Sequence, residues 1–352
     1  MDLIIFFVAL SVLVFFHELG HFIMAIKNGV RVDEFGLGLP PRLFGKKVGE
    51  TIYSVNALPI GGFCKLYGED AIEVKDSKNR SFAYKKPWQK SLILVGGVTM
   101  NLILAILIFT GVYYVTGIPS ELGKVKVEEV VSGSPADLVN LEVGDMILKV
   151  SGVKVLTSKD LIDKVAESKG KEVELVVEKK DGQEASVMVL VRDNPPEGEG
   201  SMGVIINSIE MKKFPIWQAY KGVWHGFEEA YFWGKVIIEG LGKMIAGVLT
   251  GQVPKDVAGP VGMYQATASV RKESGILGVM HFFGVISVNL AVVNLLPFPA
   301  LDGGRLVFVL IEKISGKKIN EKVEATANAV GMSILLGLLL LVTVGDVMRL
   351  LK

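Results

Sequence analysis

Two of the four histidines in this 352-residue chain stand four apart, in the run His17-Glu18-Leu19-Gly20-His21. On a helix, positions i and i+4 share a face one turn apart. Two imidazoles so placed can bind one zinc ion through nitrogens at about 2.0–2.1 Å. Glu18 is offset from that pair, so it can stand beside the ion without ligating it and take a proton from water that the ion polarises. The chemistry is hydrolysis by metal-activated water with a carboxylate base. The bare spacing also occurs by chance in soluble helices, and its setting sharpens it. It lies inside an apolar run from about Leu3 to Ile26, where a charged side chain costs about 2.5 kcal/mol or more.

A catalytic zinc usually keeps three protein ligands and one open position. The third has to come from elsewhere. His225 falls in an aromatic-rich stretch and His281 at the outer end of an apolar run, and both read as structural. The best candidate is Asp302, which follows Asn294-Leu295-Leu296-Pro297-Phe298-Pro299-Ala300-Leu301 and precedes Gly303-Gly304. The prolines remove backbone donors and break a helix, and the glycines allow tight backbone geometry. Broken backbone at membrane depth is tolerated where it lines a protein cavity.

These residues need a membrane scaffold. The chain is 50% hydrophobic, with a mean hydropathy of +0.45, too apolar for an ordinary soluble protein. A net charge of +1 gives no basic field for nucleic acid, and the single cysteine, Cys64, forms no internal disulfide. Four apolar runs reach the roughly 20 residues a span requires: 3–26, 92–115, 279–296 and 330–347. Lys27, Arg31, Arg42, Lys46 and Lys47 follow the first and Lys85, Lys86 and Lys90 precede the second, so residues 27–91 are expected on the cytoplasmic side. Arg305, Lys313, Lys317 and Lys318 place the exit of the third run there too, while Arg349 and Lys352 argue weakly against an outer C-terminus. His17 then lies roughly 15 Å from the inner end of its helix, at 1.5 Å per residue. A straight third helix would put Asp302 nearer the cytoplasm than that, so the Pro297 and Pro299 breaks must shift it back.

Residues 119–204 read as an inserted soluble α+β domain, with strands at 125–131, 146–150, 173–178 and 185–191. A helix is expected at 158–167 with Ser158 as its cap, and a hairpin at Asp181-Gly182. Residues 205–278 carry Trp217, Tyr220, Trp224, Phe227, Tyr231 and Trp233 among charged residues. They are expected to form amphipathic helices on the outer membrane surface. The chain thus divides into an N-terminal membrane part (1–118), the inserted domain (119–204), the interfacial helices (205–278) and a C-terminal membrane part (279–352).

With these residues assembled, the chain resembles the site-2 protease family of intramembrane metalloproteases, most closely its bacterial RseP-type branch. Four motifs carry the resemblance: Phe16 through His21, Asn294 through Gly304, Gly259-Pro260-Val261-Gly262, and Leu58-Pro59-Ile60-Gly61-Gly62-Phe63 followed by Gly68-Glu69. It implies a polytopic α-helical membrane protein with four transmembrane helices, in the bacterial inner membrane, whose substrates are single-span membrane proteins such as anti-sigma factors or signal-peptide remnants. It implies that His17, His21 and Asp302 hold Zn2+, that Glu18 is the general base, and that Asn294 holds substrate backbone or the oxyanion. It also implies that residues 51–66 form a membrane-associated β-hairpin loop, with Gly61 and Gly62 against the substrate. Such a loop can add an unwound substrate as a further strand. The inserted domain resembles a PDZ domain through Gly133-Ser134-Pro135-Ala136 and Leu141 through Asp145, which implies an extracytoplasmic module with a candidate peptide ligand. The second run departs from the family by carrying Gly96-Gly97 where Gly-Pro is common before Asn101; the lost proline removes a kink.

Two other readings compete. A silent membrane scaffold has no use for Glu18. A metal transporter needs polar residues on several spans, whereas here they converge on one site and the fourth run carries almost none.

Overall fold

A computed structural model describes residues 2–69, 78–196, 198–250 and 258–350. The chain divides into two compact units: Met1–Tyr113 with Trp217–Lys352, and Tyr114–Ile216.

The first unit is built on long helices. Helix α1 (Asp2–Lys27) is followed by strands β1 (Val32–Val48) and β2 (Thr51–Leu66), and then by α2 (Pro87–Thr116). After the inserted unit come α5 (Ala219–Leu249), α6 (Pro260–Asn294), α7 (Asp302–Ser315) and α8 (Glu321–Leu350). Among them α1, α2, α6 and α8 are long and apolar enough to cross a membrane. Their outward side chains fit that: Leu336, Leu338, Leu339, Leu340 and Leu341 of α8 are all exposed, as lipid-facing residues would be. Small residues set the closest helix contacts. A Cβ on Gly20 of α1 would stand 2.2 Å from the Gly96 carbonyl oxygen of α2, so the two backbones meet where only glycine fits.

Helix α6 departs from the expected third span. It begins at Pro260, not near 279, so residues 260–278 belong to it and not to a separate surface helix. Pro260 occupies the first turn, where its missing N–H and fixed φ are tolerated. The helix bends at Gly275, whose φ of 65° only glycine adopts readily. Its first turn is capped from another helix: Asp346 of α8, buried, accepts the Gly262 N–H at 2.7 Å. A Cβ on Gly259 would meet that carboxylate at 2.8 Å. Helix α8 is correspondingly longer than the expected 330–347. Helix α5 is amphipathic and packs on α2 and α6. Glu229 ties the three together, accepting from Trp233 Nε1 at 3.0 Å, from His281 Nε2 at 2.9 Å and from the Tyr113 hydroxyl.

The β1–β2 hairpin spans 32–66, beginning well before the expected residue 51. Its register is broken, so residues 34–37 have two sets of partners, 62–65 and 52–55. Residues 62–66 pair only with 32–37 among the described residues, which leaves their other edge open.

The second unit holds β3 (Ile118–Val130), α3 (Pro135–Leu138), β4 (Met146–Val150), β5 (Val153–Lys154), α4 (Ser158–Ala166), β6 (Glu172–Glu178), β7 (Glu184–Leu190) and β8 (Val204–Lys212). The sheet order is β7-β6-β4-β3-β8, with β5 on β4. Alternate residues Val125, Val127, Ile147, Leu175, Val177 and Val189 meet in its core with Leu161 of α4, the period-2 burial of a half-covered sheet. The unit runs past the expected end at 204, because β8 pairs with β3 as far as Lys212 opposite Ile118. The cap of α4 is Thr157 and not Ser158. Thr157 and Asp160 exchange side-chain-to-backbone bonds in a capping box.

Candidate metal centre

Helix α1 carries His17 and His21 on one buried face. Their Nε2 atoms lie 3.2 Å apart. Asp302 arrives from the other end of the chain: its Oδ2 is 3.1 Å from His17 Nε2 and 3.2 Å from His21 Nε2. No other such group of histidine, cysteine or carboxylate ligands occurs among the described residues.

A backbone reversal brings Asp302 level with the histidines. Helix α6 ends at Asn294, and α7 starts at Asp302 after a turn in which Ala300 has a φ of 74°. The chain folds back on itself tightly. A Cβ on Gly303 would stand 2.2 Å from the Leu296 oxygen, one on Gly304 2.2 Å from the Phe298 oxygen, and one on Gly331 of α8 2.4 Å from the Pro299 oxygen. The glycines after Asp302 are there so that α7 can lie against the stretch it has just left.

The donor set fits a metal ion. Ligands at about 2.0–2.1 Å around a tetrahedral ion stand roughly 3.3 Å from one another, close to the separations observed. Asp302 Oδ2 is buried and has no hydrogen-bond donor, although it faces two ring nitrogens. Three lone pairs aimed at one point need a cation to hold them. Neighbours set the tautomers. His21 Nδ1 lies 2.9 Å from the Ile93 carbonyl; a carbonyl only accepts, so Nδ1 carries the proton and Nε2 is free to ligate. Asn101, fully buried, places its amide 3.3 Å from His17 Nδ1. With its oxygen toward the ring it accepts the Nδ1 proton, and that orientation gives the buried Oδ1 the partner it otherwise lacks. The Asn101 backbone oxygen also accepts from Ser287 of α6 at 2.8 Å, so the residue serves both the metal site and the helix contact.

A cavity of about 350 Å³ opens beside this cluster, lined by Glu18, Phe63, Cys64, Asn294 and Arg305 among others. It is roomy enough to admit water. The hairpin forms one wall. A Cβ on Gly62 would stand 3.8 Å from Glu18 Cγ, and one on Gly61, at a φ of 78°, 3.7 Å from Val14. His225 and His281 are elsewhere, paired with Glu228 and Glu229.

Sequence reasoning gave no structural part to four residues: Gly97, Glu69, Arg305 and Asp346. Gly97 lies under both rings: a Cβ there would come within 2.4 Å of His21 Nε2 and 2.8 Å of His17 Cε1. Glu69 and Arg305 form an ion pair at 2.5 Å in the cavity wall. Asp346 caps α6. The doubled glycine 96–97 and a carboxylate inside the fourth apolar run were the available signals.

The model of Peptidase family M50 matches residues 5–338. A Clostridium perfringens protein described as a candidate zinc metalloprotease is 36% identical over 342 residues, 96% of each chain. The regulator of sigma-W protease RasP of Bacillus subtilis is 30% identical over 426 aligned positions, covering 99% of this chain and 98% of that one. Among solved structures, the PDZ domain of an SdrC-like protein from Listeria innocua is 21% identical, covers 24% of this chain and 92% of that one, and has a TM-score of 0.21.

Proposed function

Because the chain belongs to peptidase family M50, we propose that it is an intramembrane zinc endopeptidase that cuts single-span proteins within their transmembrane segments. The convergence of His17, His21 and Asp302 beside Glu18, inside a helix apolar enough to span a membrane, carries this reading. His17, His21 and Asp302 would hold the ion. Zinc bound there supplies Lewis-acid polarisation and lowers the pKa of water to about 7.

The remaining steps fall to side chains and backbone. Glu18 takes the proton of the attacking water and returns it to the leaving amine. Asn294, at the last turn of α6 and on the cavity wall, donates its amide to the substrate backbone or to the developing oxyanion. A substrate helix has its amides paired internally, so it must be unwound first. The open edge of residues 62–66 supports strand addition as the device that holds the extended form, and Gly61 and Gly62 let the substrate backbone approach without side-chain interference.

The basic segments flanking α1 and α2 favour the bacterial inner membrane with residues 27–91 cytoplasmic and the PDZ-like unit outside. There the unit would bind peptide and screen substrates whose outer domains are intact. Anti-sigma factors or signal-peptide remnants are the substrate classes proposed, and the activity would be regulated intramembrane proteolysis. The sigma-W regulator named among the relatives favours the first class.

The test is cleavage of a model single-span protein by purified chain in detergent, wild type against Glu18→Gln, with bound zinc measured in both. Zinc in both and cleavage in the wild type alone supports the proposal. Cleavage that survives Glu18→Gln refutes the role of Glu18, and zinc in both with no cleavage in either favours the scaffold.

A further inference from the structure

The ion pair of Glu69 and Arg305 ligates no metal and moves no proton, yet it lies in the wall of the same cavity. Arg305 Nη1 donates to Glu69 Oε1 at 2.5 Å, and the other carboxylate oxygen accepts the Leu66 N–H at 3.3 Å. These bonds join two parts of the site that are remote in sequence. One is the first turn of α7, where Arg305 stands three residues beyond Asp302 on the same helical face. That turn is fixed by the close backbone contacts of Gly303 and Gly304. The other is the open edge of residues 62–66, which ends at Leu66.

A second contact reinforces the first. The Arg305 guanidinium lies 5.4 Å over the Phe82 ring, and the Phe82 N–H is bonded to the Tyr67 oxygen at 2.9 Å. The side chains of the pair are only 23% and 29% exposed. Removing one partner leaves the other charge largely out of water and uncompensated, so each holds the other in place.

We infer that Glu69 and Arg305 are a positioning pair that fixes the hairpin edge lengthwise against Asp302, and so selects which peptide bond of an extended substrate meets the metal centre. The inference rests on the proposed peptidase reading. A strand advances about 3.3–3.4 Å per residue, so a slip of the edge by that distance exchanges one scissile bond for its neighbour. The hairpin's own pairing is a weak guard against such a slip, since its register already shifts repeatedly along β1. The tie at Glu69 is what anchors its end to the ligand-bearing helix.

The experiment uses zinc-loaded full-length chain in detergent with a model single-span substrate, comparing product masses for wild type, Glu69→Gln, Arg305→Gln and Arg305→Lys. Zinc content is measured in each. So is the alkylation rate of Cys64, the only cysteine in the chain and a residue of the same edge. The expected result is that both Gln variants keep their zinc, cut at additional bonds one or two residues from the wild-type position, and alkylate severalfold faster at Cys64. Arg305→Lys, which keeps the charge, restores the single product. Unchanged product masses and Cys64 rates in the Gln variants overturn the inference. So does a lysine variant that cuts as raggedly as the glutamine one, or loss of zinc, which would make the pair a brace for Asp302. A zinc-loaded wild type that cuts nothing sinks the peptidase reading itself, and is recognised by the absence of any product.

Discussion

Gly97→Ala should weaken metal binding without replacing a proposed ligand. The added methyl would stand 2.4 Å from His21 Nε2, 2.7 Å from His21 Cε1 and 2.8 Å from His17 Cε1. Ordinary contact needs about 3.5 Å, so His21 has to retreat by roughly 1 Å. A metal site tolerates ligand displacements of about 0.2 Å. The ring cannot retreat that far and keep its Nδ1 bond to Ile93, 2.9 Å away. Changes to residues that merely orient ligands weaken metal binding about 10–100-fold. Displacing a ligand itself should cost at least 100-fold, or about 2.7 kcal/mol. The helix should survive, because alanine is the better helix former by roughly 0.5–1 kcal/mol. Gly111→Ala in the same helix is the control: its Cβ meets nothing within 4 Å, and zinc affinity should be unchanged. The assay is zinc titration against a competing chelator, with circular dichroism and gel filtration to show that both variants fold. A folded Gly97→Ala protein that binds zinc with wild-type affinity would refute the reasoning.

Asn101→Ala should weaken zinc binding about 10–100-fold while leaving the ligand set intact, read by the same titration. Asp346→Ala should lower the thermal midpoint by an amount corresponding to about 1 kcal/mol, the usual worth of a helix cap, whereas Asp346→Asn, which keeps an acceptor for Gly262, should be close to neutral. Asp160 in the second unit is held below the usual carboxylate range by the N–H groups of Leu156 and Thr157, with the Thr157 hydroxyl adding to them. Its folded pKa is depressed, so its contribution is complete above the unfolded value of about 3.9 and is lost as pH falls through the folded one. Hydrogen exchange at Leu156 and Thr157 should therefore quicken as pH falls through that window relative to neighbouring amides, and Asp160→Asn should show the quickened exchange already at neutral pH.

What could be read from sequence followed the distance over which each feature is set. His17 and His21 meet because four residues make one helical turn, a property of the local chain. The strands of the second unit were legible for a similar reason: Val173, Leu175 and Val177 alternate, and Asp181-Gly182 suits a tight turn. Asp302 could be nominated, but its depth could not, because the reversal depends on how closely residues 303 and 304 approach 295–298. The start of α6 was hidden because 260–274 is polar enough to pass for a surface helix, and Gly275 interrupts the apolar pattern. The end of β8 was hidden because its partner, Ile118, lies roughly 90 residues earlier and no local signal marks the pairing. Gly97 belongs to a glycine pair of a kind that suits close helix packing; only the position of two rings from another helix gives it a part in the metal site.

The reversal before α7 has a consequence for how the molecule is made. Of the three proposed ligands, His17 and His21 leave the ribosome roughly 280 residues before Asp302. At about 5–20 residues per second, that interval is roughly a quarter of a minute to a minute. Throughout it, the donor set that begins on α1 is incomplete. A hydrolase whose proposed donor set is completed so late is kept inert meanwhile by the order of its chain. A transcript cut short before Asp302 lacks the third proposed ligand and leaves only His17, His21 and Glu18 on α1.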